Sequence, residues 1–76
     1  MKSQISRRAL ILRINRRLAA DGRALKATRT EADRESMGDF FIVELERGRI
    51  VSANIDPIAL AKELGVLKPY EQVTED

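Results

Sequence analysis

Seven cations near the start of the chain, Arg8, Arg13, Arg16, Arg17, Arg23, Lys26 and Arg29, are the side chains whose types and spacing best suit a chemical task. A guanidinium presents a planar fork of donors that matches phosphate oxygens, so this concentration of arginine points to the phosphate backbone of a nucleic acid. Residues 1–30 hold nine Lys or Arg against one acid, Asp21, whereas residues 31–76 hold five against eleven acids. The two segments carry +8 and −6 within a chain of net charge +2. Such asymmetry suits an anionic partner, or else pairing of the two segments within the fold or across a dimer.

Catalysis is harder to build. The chain has no His and no Cys, which removes the commonest general base, the most reactive nucleophile and the usual zinc ligands. Glu31, Asp33 and Glu35 have the alternate spacing of a calcium loop. The sixth position of that loop is Ser36 and the twelfth Ile42, where the motif needs Gly and a bidentate Glu. The glycines Gly22, Gly38, Gly48 and Gly65 fall at expected turns or helix ends, and none belongs to a phosphate-cradling loop. The composition therefore predicts a binding domain that is not an enzyme and carries neither metal nor cofactor.

The elements that position these residues follow from hydrophobic spacing. On a helix over Arg7–Ala20, the side chains of Leu10, Ile11, Ile14 and Leu18 form one stripe that belongs in a core. Arg13, Arg16 and Arg17 cluster on a neighbouring face, and Ile5, Leu12 and Ala19 form a thinner apolar strip. Ser3 is the expected cap and Asp21-Gly22 the expected stop. The stretch from Ala24 to Thr30 alternates weakly as a strand, and Thr30 to Gly38 reads as a polar loop with room for one helical turn.

The stretch DFFIVELERGRIVSANI has the pattern of a hairpin. Glu46-Arg47 would form its turn and Gly48 its positive-φ position. That register sets Val43 opposite Val51 and Phe41 opposite Ala53. Phe41, Val43, Leu45, Val51, Ala53 and Ile55 then share the core face, leaving Phe40, Ile42, Glu44, Ile50, Ser52 and Asn54 outside. Phe40, Ile42 and Ile50 are more apolar surface than a solvated face usually shows, which marks them as a candidate interface. A last helix starts at Asp56-Pro57 and stops at Gly65, with Ile58, Leu60, Ala61 and Leu64 facing inward.

The fold expected is α+β: a small α-β-β-β-α domain over residues 1–68, its antiparallel sheet packed on one face by two helices, then an acidic, mobile tail over 69–76. If the strand near Ala24 fails to form, the order reduces to α-β-β-α. A chain of this size buries only about 60% of its unfolded surface, so oligomerisation is an open route to added stability. The order α-β-β-β-α is similar to that of double-stranded-RNA-binding domains and of small HicA-type ribonuclease toxins. The likeness is of topology alone. Such a toxin relies on a histidine, which this chain lacks, and such an RNA-binding domain starts its last helix with a basic cluster, where this chain has Asp56-Pro57. No family is assigned on that basis.

Ser6-Arg7-Arg8 resembles the start of a twin-arginine export signal, but Arg13 interrupts the apolar run that the signal requires. No apolar segment approaches the roughly 20 residues of a membrane span. The basic helix also lacks the Trp or Phe anchors of membrane-surface helices. A cytoplasmic protein without a membrane partner is expected. Two roles remain: nucleic-acid binding through the seven cations, or a protein-interaction or homodimerisation module using Phe40, Ile42 and Ile50 with the oppositely charged segments.

Overall fold

The computed structural model describes residues 3–74. The chain runs β1 (Ser3–Ser6), α1 (Arg7–Ala19), β2 (Arg23–Ala27), α2 (Glu31–Met37), β3 (Phe40–Glu44), β4 (Arg49–Ala53), α3 (Pro57–Leu64) and β5 (Glu71–Thr74). β2, β3 and β4 form an antiparallel sheet in that order, and β1 pairs in parallel with β5 as a separate two-stranded sheet. The fold is α+β, and the expected α-β-β-β-α series is present within it. Three further elements, β1, α2 and β5, lie outside that expectation.

β1 takes the place of the residues before the helix, so the cap is Ser6 and not Ser3. The Ser6 Oγ accepts a hydrogen bond from the Ala9 N–H at 3.0 Å. α1 buries Leu10, Ile14 and Leu18, with Ile11 packed beside them. The second apolar strip does not form. Ile5 is buried in β1, whereas Leu12 is 61% exposed on the far side of α1. α2 is a full helix in place of the expected loop. The Thr30 Oγ1 caps it, accepting from the Asp33 N–H, and Glu31 and Asp33 lie in its first turn, where the helix dipole favours acids.

Residues 71–74, expected to belong to a tail beyond the domain, form β5 instead. Ile5 of β1 is level with Val73 of β5, and both pack into the core. Glu75 and Asp76 of that tail lie outside the described residues. α3 has the expected ends: the Asp56 carboxylate accepts from the Ile58 N–H, Pro57 opens the helix and Gly65 closes it in the left-handed conformation. Ala61 is fully buried and Leu60 and Leu64 face the core, but Ile58 is 41% exposed.

The hairpin turns at Leu45–Gly48 with Gly48 at φ +65°, as its sequence predicts. Its register matches the expectation only in part. Phe41 pairs with Ala53 and Ile42 with Ser52, but Val43 pairs with Ile50, leaving Val51 as an unpaired bulge. The two faces of β3 are also exchanged relative to the expected ones, whereas Ile50 stays on the outer face and Ile55 in the core, as expected. Ile42 is buried and Phe40 packs against the core, so neither forms an outer interface. The cause lies in β2. Leu25 is its one large apolar residue, it faces α1, and it is level with Ile42; Lys26, on the opposite face, is level with Phe41. A lysine cannot stay in a small core, so Phe41 and Val43 are turned outward with it.

Candidate nucleic-acid interface

α1 carries the candidate site because nothing in it opposes a positive field. Its thirteen residues include no acid, and its last turn contains Arg16 and Arg17. The stripe of Leu10, Ile14 and Leu18 is pinned inward, so helical spacing sets Arg8, Leu12 and Arg16 one above another on the solvent side. Arg13, Arg16 and Arg17 line a shallow groove of about 500 Å³ together with Ala20 and Val66.

The cations are not equivalent. Arg13 is held inward: its Nη1 donates to both Glu71 carboxylate oxygens at 2.9 Å and to the Val66 carbonyl at 3.2 Å. The Lys68 backbone N–H donates to the same carboxylate at 2.8 Å. That backbone bond first, and the Arg13 guanidinium second, hold the Glu71 carboxyl below the ordinary value of 4.5, outweighing the opposite effect of its burial. Arg13 therefore ties α1 to β5 and is a structural residue. Arg17 contacts Asp21 at 3.4 Å, one helical turn on, with both side chains about half exposed. Such a pair is weak and exchangeable. Arg16 makes no ion pair among the described residues, and Arg8 is exposed while taking part in an intramolecular contact.

The remaining three are divided. Arg23 opens β2 just after the turn that ends α1. Lys26 and Arg29 line a different groove, of about 530 Å³, with Asp33, Phe41 and Val43 on the sheet face turned away from α1. The seven cations thus fall on two surfaces. Sequence spacing could not separate them, because the division depends on which face of β2 meets the helix.

Asn15 is a polar residue that reading for charge misses. Its Oδ1 accepts from the Leu25 N–H at 2.7 Å, and its Nδ2 donates to the Leu25 carbonyl at 3.4 Å. The amide supplies β2 with the pairing that a neighbouring strand would give, and it fixes α1 against the sheet edge. The only sequence signal is a polar side chain one position beyond Ile14 on an otherwise arginine-rich helix.

Among the described residues no group of three or more Asp or Glu could hold a metal ion, and no helix is long and apolar enough to cross a membrane. Comparison of the chain with known protein families, with curated proteins and with solved structures finds no match.

Proposed function

We propose that this protein is a non-enzymatic domain that binds the phosphate backbone of duplex nucleic acid through the solvent face of α1, with Arg16 and Arg17 as principal contacts and Arg8 and Arg23 at its margins. The observation that carries the reading is a thirteen-residue helix without acids that turns arginines outward from a core-anchored stripe. At 1.5 Å per residue α1 is about 20 Å long, enough to meet several phosphates, which are spaced about 3.4 Å apart along the axis on each strand of a duplex. A convex helix suits a groove or backbone ridge. Single strands ask instead for aromatic stacking platforms, and the chain has two Phe and one Tyr. Arg13 is assigned to holding the fold, and Lys26 and Arg29 lie outside this footprint.

The test is fluorescence anisotropy with mixed-sequence duplex DNA and duplex RNA, titrated across salt. Arg16→Gln with Arg17→Gln should weaken binding evenly across sequences and flatten the log–log salt slope by about 0.9 for each phosphate that is no longer neutralised. Lys26→Gln with Arg29→Gln should change affinity little. Unchanged affinity and slope in the first pair would refute the reading.

A further inference from the structure

The three-stranded sheet has one face on α1 and the core, and the other face open. On the open side lie Phe41 and Val43 of β3 together with Ile50 and Val51, which both oppose Val43 at the bulge. Leu45 follows at the hairpin tip. Leu45, Ile50 and Val51 are 54%, 47% and 38% exposed, a concentration of apolar surface at one end of a small domain that calls for a partner.

How a partner can approach is limited by the edges. Asn15 occupies the outward N–H and C=O of Leu25, so β2 has no free ladder at that point. β4 is the open edge, but the Val51 bulge interrupts its pairing pattern and increases its twist, a device that obstructs strand addition. Packing face to face remains.

The charges around the face favour one occupant. At the end where Lys26 is level with Phe41, the groove is bordered by Lys26, Arg29 and Asp33. At the opposite end the hairpin tip carries Glu46 and Arg47. None of these five makes an ion pair among the described residues, whereas Glu44 and Arg49, beside the tip, are paired with each other at 3.1 Å. A two-fold axis in the plane of the face and perpendicular to the strands lays the groove end of one copy over the tip of another. Glu46 then meets Lys26 and Arg29, Arg47 meets Asp33, and Val43, Ile50 and Val51 meet their own symmetry mates near the axis. A two-fold axis along the strands would instead bring the two groove ends, with Lys26 and Arg29 of both copies, to the same end of the dimer and the two tips to the other.

We propose that the outer sheet face is a homodimer interface in which two copies of this chain stack sheet on sheet, strands antiparallel, with the groove end of each over the hairpin tip of the other. The contact is isologous, as a closed two-fold dimer requires. It lies on the side of the sheet away from α1, so it does not depend on the nucleic-acid reading and leaves that helix open.

Sedimentation equilibrium of the full chain tests this. The wild type is expected at twice its 8.6 kDa mass at high protein concentration, and a monomer at 1 mM would overturn the proposal. Ile50→Lys lies at an exposed position, so it should give a monomer with an unchanged circular dichroism spectrum; dimerisation as tight as the wild type would overturn it. Orientation is tested by charge exchange. Glu46→Lys should raise the dissociation constant about tenfold, since each substitution acts at both symmetric ends. Combining Glu46→Lys with Lys26→Glu and Arg29→Glu should restore it. If the combined variant is no tighter than Glu46→Lys alone, the antiparallel stack is wrong.

Discussion

Gly38→Ala is expected to cost more than its size suggests. Gly38 ends α2 at φ +76° and ψ −167°, a region that essentially only glycine occupies, and holding an L residue in such sparse backbone space costs of order 1–3 kcal/mol. A methyl group placed there would lie 2.7 Å from the Asn54 Oδ1 and 3.1 Å from the Asn54 Cα. The side-chain oxygen can rotate away, but the Cα cannot: the Asn54 N–H is bonded to the Met37 carbonyl at 2.6 Å, and Asn54 itself has φ +56°. Relieving the contact means lengthening that hydrogen bond, worth about 1 kcal/mol. The total is about 3 kcal/mol, a large part of the roughly 4–11 kcal/mol expected for a domain of this length. With a urea m-value near 1 kcal/mol/M, the midpoint should fall by about 3 M. Gly48→Ala provides the control, because its φ of +65° is also positive but a methyl group there meets nothing within 4 Å. It should lose about 1 kcal/mol. Equal midpoints for the two variants would refute the argument that the approach of α2 to the end of β4 is close and rigid.

Asn15→Leu should destabilise by about 1–3 kcal/mol, measured by urea titration, because it leaves the Leu25 N–H and C=O without their partner. Asn15→Asp should also lose stability at pH 7, since a carboxylate can accept from the N–H but repels the carbonyl. Glu71 predicts a pH dependence. Its folded value lies below the ordinary 4.5, so its contribution is fully present above that value and is lost as the pH falls through the folded one. Stability in urea should therefore drop in acid below about pH 4.5, and Glu71→Gln should remove that part of the decline while lowering stability at pH 7. Ser6→Ala removes the cap of α1 and should cost about 1 kcal/mol, read as a lower thermal midpoint.

The parts of the fold legible in the sequence are those settled over a few residues. The stripe of Leu10, Ile14 and Leu18, the Asp56-Pro57 start and Gly65 stop of α3, and the positive φ of Gly48 each follow from local sterics or hydrogen bonding. What could not be read depends on distant partners. Residues 3–6 and 71–74 become strands because they meet each other, and neither has a pattern of its own over four residues. The faces of β3 come out opposite to the choice that apolar content alone favours, because the choice rests on a single pairing, Leu25 with Ile42. In the candidate site, sequence groups seven cations but cannot reveal that Arg13 faces Glu71, 58 positions away, or that Lys26 turns from the helix.

The pairing of β1 with β5 also gives the chain a direction in time. β1 is completed only by β5, so during synthesis Ile5 has to wait for Val73 and Arg13 for Glu71. At about 5–20 residues per second the interval is several seconds, far longer than a helix or hairpin needs to form. In that interval the hairpin and α1 can assemble, but the small parallel sheet cannot. Until β5 has been made, the side of Ile5 that packs with Val73 in the finished fold stays uncovered.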